Sequence, residues 1–257
     1  DPGDQAGVLL AMLDRPQVCS REWIIRQYDH EVQGTSVIKP LVGRLAQIPG
    51  DAALLRPVLG SHRGLALSLA LNPAYSRIDT YHMTAVTIDE AVRRLLAVGG
   101  TLDHIGGVDN FCWPNVEYHP QKNPDGRYKA AQLVRACLAL KDLCLTYGIP
   151  LLSGKDSMYV DGLLPGAFGE LHRVSGPPTL FFTAVSVIAD LRRALTLEWK
   201  APGDLIYLVG ETRPELGGSE FYEMLGYVGL SVPQARPQEF LPYYRLLEQA
   251  VREELLA

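Results

Sequence analysis

Residues 148–158 read GIPLLSGKDSM, an apolar run followed by serine, glycine, lysine and aspartate. The run Ile149–Leu152 predicts a buried strand, because short apolar runs bounded by turn residues are typical of strands in a core. The polar residues after it are then predicted to lie at the mouth of the strand. A Walker phosphate loop does not fit, since Gly148 and Gly154 are one residue too far apart and Asp156 replaces the metal-binding hydroxyl.

Outward from this stretch, the hydrophobic pattern switches repeatedly between helical and strand spacing. The predicted helices are Gly7–Tyr28 (with a break at Arg15–Pro16), Thr87–Val98, Lys129–Tyr147 and one opening at Glu220. The predicted strands are Thr35–Ile38, Gly64–Leu71, Leu102–Val108, Thr179–Ile188 and Leu205–Val209. The stretch Tyr159–Pro178, which follows SGKDSM and precedes the strand at Thr179, is rich in Gly and Pro and predicts a long loop.

Composition narrows the class of protein. The 257 residues carry a formal net charge of −5 without a basic patch, which argues against nucleic acid as the main partner and favours a small-molecule site. Four cysteines without a Cys-x-x-Cys pair, and the lack of signal-peptide features, predict reduced thiols in the cytosol. Cys137 and Cys144 share a helical face and are predicted to be buried. No apolar run is long enough to span a bilayer.

Three acidic residues are predicted to lie at the ends of elements, where a magnesium nucleotide could bind. Glu90 would lie in the first turn of a helix capped by Thr87, while Asp109 and Asp156 would follow strands. Carboxylates are hard ligands for Mg²⁺, Gly154 would let a phosphate approach backbone N–H groups, and the adjacent lysine would balance its charge. Each carboxylate also has a structural interpretation, as part of a capping box or as a turn cap.

Two histidines are candidates for a general base, His30 and His82, because imidazole titrates near neutral pH. A solvated histidine at a helix end is the commoner situation. No Ser/His/Asp or Cys/His set can be argued, so no catalytic residue is assigned.

Five segments, taken in order, resemble the second half of the synthetase component of phosphoribosylformylglycinamidine synthase. They are YDHEVQG (28–34), DTYHMTAVTIDEAVRRLLAVGG (79–100), LDHIGGVDNFCWPN (102–115), GIPLLSGKDSM (148–158) and GDLIYLVGETRPELGGSEFYEMLG (203–226). The resemblance implies an ATP-dependent ligase of purine biosynthesis. It would convert formylglycinamide ribonucleotide, with ATP, Mg²⁺ and ammonia released from glutamine by a glutaminase subunit or domain, into formylglycinamidine ribonucleotide.

The resemblance also implies residue roles. Asp109, Gly154 and Lys155 would contact ATP, Ser157 would contact the ribonucleotide substrate, and Glu90 and Asp156 would hold metal. Lys155 stands where the family's small form has asparagine, and so matches the large form. Glu90 resembles a glutamate of an auxiliary nucleotide site in the large form, although the asparagine four residues later is Arg94 here.

The implied fold is the α/β (α+β) architecture of the aminoimidazole ribonucleotide synthetase superfamily. Residues 1–34 would form a helical linker, residues 35–195 a domain with a mainly antiparallel four-stranded sheet covered by helices, and residues 196–257 the start of a second domain. Such first domains pair across a strand edge into a shared barrel. The partner would be the remaining half of the synthetase, or a second copy of the isolated fragment.

The resemblance further implies that the chain alone does not catalyse the reaction, because the family's catalytic histidine lies in the first half and the second domain is incomplete. Two alternatives stay open at this stage. One is a non-catalytic auxiliary half that binds nucleotide for structural support. The other is a different ATP-dependent enzyme of the superfamily, such as aminoimidazole ribonucleotide synthetase.

Overall fold

A computed structural model describes residues 3–256 of the chain. The α-helices are α1 (Gln5–Leu13), α2 (Glu22–Ile25), α3 (Thr80–Ala97), α4 (Gly126–Tyr147), α5 (Glu220–Met224) and α6 (Pro237–Arg252). The strands are β1 (Ser36–Ile38), β2 (Leu41–Val42), β3 (Ile48–Pro49), β4 (Ala53–Leu55), β5 (Gly64–Leu71), β6 (Ile105–Cys112), β7 (Leu151–Ser157), β8 (Asp161–Pro165), β9 (Leu171–Ser175) and β10 (Thr179–Ile188).

One main sheet organises the molecule, with the strand order β1-β4-β5-β10-β6-β7. Every neighbouring pair is antiparallel except β6 and β7, which run parallel. The prediction of an α/β fold with a mainly antiparallel sheet is therefore confirmed. The predicted count of four strands is wrong, because six strands are hydrogen-bonded into the sheet. The short strands β1 and β4 and the polar strand β7 extend it at both edges.

Helices α3 and α4 lie on one face of this sheet. The two faces differ in the size of their side chains. Strand β5 turns its small residues, including Ala66 and Ser68, toward the helices, and the Ser68 hydroxyl donates a hydrogen bond of 2.7 Å to the Ala91 carbonyl of α3. Its leucines lie on the open face, where Leu69 and Leu71 stay 47% and 48% exposed. The alternation seen in the sequence thus marks a helix-packed face and an uncovered leucine-rich face.

Helix α3 begins seven residues before its predicted start. Its cap is Asp79, whose carboxylate accepts hydrogen bonds from the backbone N–H groups of Tyr81 and His82, at 2.8 and 3.0 Å. Thr87, the predicted cap, is buried inside the helix and donates its hydroxyl proton to the Met83 carbonyl. The predicted stop is confirmed, since the helix ends at Ala97, just before Gly99 and Gly100.

The region around the SGKDSM stretch has more regular structure than its composition predicts. Strand β7 runs from Leu151 to Ser157, so Gly154 and its neighbours lie within the strand rather than in a loop at its mouth. Strand β6 likewise ends at Cys112, which places Asp109 inside it. The predicted loop at 159–178 is instead the hairpin of β8 and β9, which pair antiparallel. Ladder hydrogen bonds with neighbouring strands outweigh the weak strand propensity of Gly, Asp and Lys.

After residue 195, the chain packs against α3 and α4 through α6. The Asp89 carboxylate of α3 accepts hydrogen bonds from the hydroxyls of Tyr147 (2.6 Å) and Tyr244 (2.8 Å), which ties α4 and α6 to α3. The predicted strand Leu205–Val209 is wrong: its residues have no regular structure and are 64–83% exposed. The predicted boundary near residue 195 stays a prediction, and residues 1–2 and 257 of the outer predicted segments lie outside the described residues.

Two further outcomes concern the cysteines and the membrane. Cys144 is buried as predicted, whereas Cys137 is exposed, so the prediction of a shared buried face holds for one of the two thiols. Across residues 3–256, none of the helices combines the length and apolar character that crossing a membrane requires.

Candidate functional site

The parallel pairing of β6 and β7 brings the predicted site residues of two distant segments side by side. The strands are joined through α4, the arrangement that parallel neighbours require. In their register, Asp109 lies opposite Gly154 and Phe111 lies opposite Asp156. The two aspartates are therefore diagonal neighbours on the same face of the sheet, although 47 positions separate them in sequence (156 minus 109).

The two aspartates lie on the helix-packed face of the sheet, where Asp109 is half-buried and Asp156 is exposed. Asp109 is flanked there by the buried side chain of Phe111, and its partner residue on β10 is the fully buried Phe182. Burial raises the pKa of the Asp109 carboxyl, and the nearby negative charge of Asp156 raises it further. A site that raises the pKa of a carboxyl in this way gains free energy from a cation placed between the two groups.

The thiol of Cys137 on α4 lies close enough to feel both aspartates. Although the residue as a whole is exposed, partial burial of the thiol raises its pKa, and the charges of Asp156 and Asp109 add to that shift. The thiol is therefore held protonated beside the carboxylates and contributes no charge of its own. Cys137 was predicted to be buried in the core, but the structure leaves it exposed on α4, near enough for the charges of both aspartates to act on its thiol.

Gly154 leaves space directly in front of Asp109. A Cβ atom at this position would lie 2.7 Å from Oδ1 and 2.9 Å from Oδ2 of Asp109. Any side chain would therefore push the carboxylate aside. The glycine lets the carboxylate lie against the β7 backbone, where a bound phosphate or metal ion could reach both.

Lys155 and Ser157 project from the opposite face of β7, because successive side chains of a strand alternate. The Lys155 ammonium donates a hydrogen bond to the Ser157 hydroxyl, and Asn110 of β6 lies opposite Lys155 in register. The structure therefore divides the predicted residues between two faces. Asp109, Gly154 and Asp156 are on the helix-covered face, while Lys155 and Ser157 are on the open face together with Asn110, which sequence analysis did not single out.

Glu90 is not brought to this site by any hydrogen bond. It lies in the middle of α3 rather than in its first turn, where it accepts hydrogen bonds from Arg94 (2.6 Å) and from the Asn72 amide (2.9 Å). Neither partner belongs to β6 or β7. Among the side chains of residues 3–256, no group of three or more His, Cys, Asp and Glu has the geometry to hold a metal ion.

The candidate histidines also make no hydrogen bond to the aspartates. His30 lies within 3.2 Å of the Tyr28 carbonyl oxygen, and His82 packs edge-on against Tyr81 at the start of α3. The Nδ1 atom of His82 is buried without a hydrogen-bond partner in the described chain. Neither histidine is assigned a role in the chemistry.

Comparison with known proteins gives these motifs a family context. No protein-family model matches the chain. Among curated proteins, the phosphoribosylformylglycinamidine synthase subunit PurL of Methanothrix thermoacetophila is 35% identical over 263 residues, which cover 100% of this chain and 31% of that protein. The PurL subunit of Gloeobacter violaceus is 33% identical over 241 residues, covering 91% of this chain and 29% of that protein. This chain is related to PurL.

The resemblance to phosphoribosylformylglycinamidine synthase predicted from five sequence segments is therefore confirmed. The chain spans less than a third of the length of these PurL relatives, 31% and 29%. Among solved structures, Thermotoga maritima PurL complexed with FGAR aligns over 90% of this chain and 29% of that chain, with a TM-score of 0.51 and 19% identity. At that identity the likeness concerns the fold, and it agrees with the α/β assignment.

Proposed function

We propose that this chain supplies part of the ATP and ribonucleotide site of a phosphoribosylformylglycinamidine synthase. The whole ligase would convert formylglycinamide ribonucleotide, ATP and glutamine-derived ammonia into formylglycinamidine ribonucleotide in the cytosol. The observation that carries the proposal is the register of β6 and β7, which pairs Asp109 with Gly154 and aligns Asp156 on the same face. The similarity to PurL supports the choice of reaction.

The two carboxylates fit a magnesium ion that arrives with a nucleotide. Mg²⁺ in such sites is typically held by one or two carboxylates together with substrate phosphates, rather than by an all-protein cage. Asp109 and Asp156 provide that number of oxygen ligands, and the raised pKa of Asp109 indicates a site short of positive charge. When bound, the ion would neutralise charge on the transferred phosphoryl group. Glu90 would be available to a metal only after leaving Arg94.

The remaining residues would position the two substrates. The Gly154 backbone can approach a phosphate closely because no side chain intervenes. Lys155 would offset phosphate charge, and Ser157 would donate or accept a hydrogen bond with the ribonucleotide from the open face of the sheet. In the unliganded chain the Lys155 ammonium donates a hydrogen bond to the Ser157 hydroxyl, so both groups lie on the same face of β7. These assignments make the chain a contributor to binding and orientation, with no catalytic residue of its own.

The rest of the ligase would come from partners. We propose that the remaining half of the synthetase supplies the catalytic histidine and that a glutaminase subunit or domain supplies ammonia. In this proposal the chain alone does not make product, and a product assay with ATP, ammonia and formylglycinamide ribonucleotide should show none above background.

Calorimetric titration of magnesium-ATP and magnesium-ADP tests the nucleotide site. We expect binding by the wild-type chain, at least about tenfold weaker binding by Asp109→Ala, since a charged ligand is lost, and unchanged binding by Glu90→Ala. Gly154→Ala should weaken binding by crowding Asp109. Gly162→Ala is the matched control, because nothing lies within 4 Å of the Cβ it would add.

Two results would count against the proposal. Loss of binding in Glu90→Ala with binding kept in Asp109→Ala would identify the auxiliary, non-catalytic nucleotide site instead. Absence of binding by the wild-type chain would contradict the expected nucleotide site at Asp109, Gly154 and Asp156.

A further inference from the structure

A cavity lies at the far end of the strands that carry the candidate site. Its volume is about 360 Å³, and it is bordered by the residues that precede β5 and β6, the end of β10 and the last turn of α6. Asp109 lies toward the carboxyl end of β6, whereas this cavity opens at the amino end of that strand. The cavity is therefore separate from the proposed nucleotide site.

Basic side chains from four separate segments converge on this cavity. Arg63 precedes β5, His104 precedes β6, Arg193 follows β10 and Arg252 ends α6. The whole chain has a formal net charge of −5, so this local excess of positive groups is not a property of the overall composition.

The acidic groups that border the cavity are already neutralised from outside it. Asp103 pairs with Arg245 at 2.6 Å, and Asp190 pairs with Arg192 at 2.6 Å. Neither of these arginines borders the cavity. The pKa of the Asp190 carboxyl is lowered because Arg192 donates hydrogen bonds to it.

Two of the cavity arginines keep their donors available. Within residues 3–256, the guanidinium groups of Arg63 and Arg252 make no hydrogen bond and no ion pair. Arg193 is partly used, since it donates to the Arg252 carbonyl at 2.6 Å and lies 3.4 Å from Glu254. A guanidinium group presents planar paired donors that match the oxygens of a phosphate group.

We propose that this cavity binds a small phosphate-bearing anion, with Arg63 and Arg252 as its two principal contacts. The volume accommodates an anion of the size of pyrophosphate or of a small phosphorylated metabolite. The arginines are exposed to solvent. Dissolved salt therefore screens their charge, and binding should weaken as the ionic strength rises. The site needs no divalent metal, which distinguishes it from the nucleotide site.

Calorimetric titration of inorganic pyrophosphate into the chain, at low salt and with EDTA present, tests this inference. We expect one anion per chain, binding about fivefold to tenfold weaker in Arg63→Gln and in Arg252→Gln, and a larger loss in the double variant. Arg44→Gln is the matched control, because Arg44 is also exposed and lies outside the cavity. Asp109→Ala should leave pyrophosphate binding unchanged.

A nuclear magnetic resonance titration gives a second readout that needs no variant. Saturable shifts of the His104 ring signals, with the His119 ring signals unmoved, would support the site. Absence of pyrophosphate binding, equal binding by the double variant and the wild type, or shifts at His119 without shifts at His104 would overturn it. Unchanged thermal midpoints in the arginine variants would show that any loss of binding is not a loss of folding.

Discussion

At the scale of single residues, the negative charge of Asp109 destabilises the unliganded fold while it favours the binding of a cation. Burial and Asp156 raise the pKa of its carboxyl. A carboxyl whose pKa is higher in the folded than in the unfolded chain stabilises the fold below the unfolded pKa, and this contribution is lost as the pH rises through the folded pKa. At neutral pH the ionised Asp109 therefore lowers the free energy of unfolding, a cost that a bound cation would remove.

Asp109→Asn should consequently make the unliganded chain more stable at pH 7. We expect a rise of about 1–2 °C in the thermal midpoint, kept small because solvent screens a partly exposed group. The difference should shrink below about pH 4, where the wild-type carboxyl is protonated as well. Calorimetric melts from pH 3 to pH 8 measure it, with Asp51→Asn as the control substitution. An Asn variant less stable at pH 7 than at pH 3, relative to wild type, would contradict this sign.

Sequence reasoning found the residues of the site but not their arrangement. Asp109, Gly154 and Asp156 were identified because acidic residues and a glycine beside apolar runs indicate ligand chemistry. Which of them face one another depends on the register of β6 and β7, and a shift of one residue would move Asp156 to the other face. The Asp89 contacts with Tyr147 and Tyr244 had no signal at all, since 58 and 155 positions separate the partners.

At the scale of elements, tertiary packing sets several helix and strand boundaries that local sequence propensity predicted wrongly. Strand β5 was predicted with its correct ends because its alternation is unbroken. Helix α3 was predicted too short because its first turns contain Thr and Val, which lower helix propensity. Thr80, Thr84 and Thr87 are nevertheless buried, so tertiary contacts compensate for that propensity. The strand predicted at 205–209 did not form, because no neighbouring strand pairs with it among residues 3–256.

One buried phenol, that of Tyr244, contributes to the attachment of α6 to α3 and α4. Burial and the charge of Asp89 raise the pKa of Tyr244, so the hydroxyl stays protonated and donates to the carboxylate at neutral pH. Tyr244→Phe should lower the free energy of unfolding by about 1.5–3 kcal/mol, the usual contribution of a hydrogen bond to a charged group. It should also speed amide hydrogen exchange in α6 more than in α4.

Tyr243→Phe is the comparison for that experiment, since Tyr243 is 50% exposed. We expect its unfolding free energy within about 0.5 kcal/mol of the wild type. Equal exchange rates in α6 for the Tyr244 and Tyr243 variants would show that the Asp89 contact does not hold the helix.

At the scale of the whole molecule, the sheet is covered on one side only. The leucines of β5 lie on the open face, and β7 presents a free edge that is exposed along most of its length. Free strand edges pair readily with other chains. For the isolated chain we therefore predict a homodimer.

Light scattering after size-exclusion chromatography measures this directly, and we expect twice the mass of the single chain. Leu69→Asp, which places a charge on the open face, should convert the dimer to a monomer. Leu145→Asp should not, because Leu145 is 74% exposed on α4, on the helix side of the sheet. A monomeric wild-type chain would defeat the prediction.

The connection through α4 also limits how this part of the chain can vary in length. One inserted residue in α4 would turn everything after it by about 100° about the helix axis, and would separate Gly154 from Asp109. An insertion at the tip of the β8–β9 hairpin, around Gly166–Gly169, would move neither residue. Related chains that keep the paired aspartates should therefore share a fixed number of residues between β6 and β7 and differ in length at the hairpin tip.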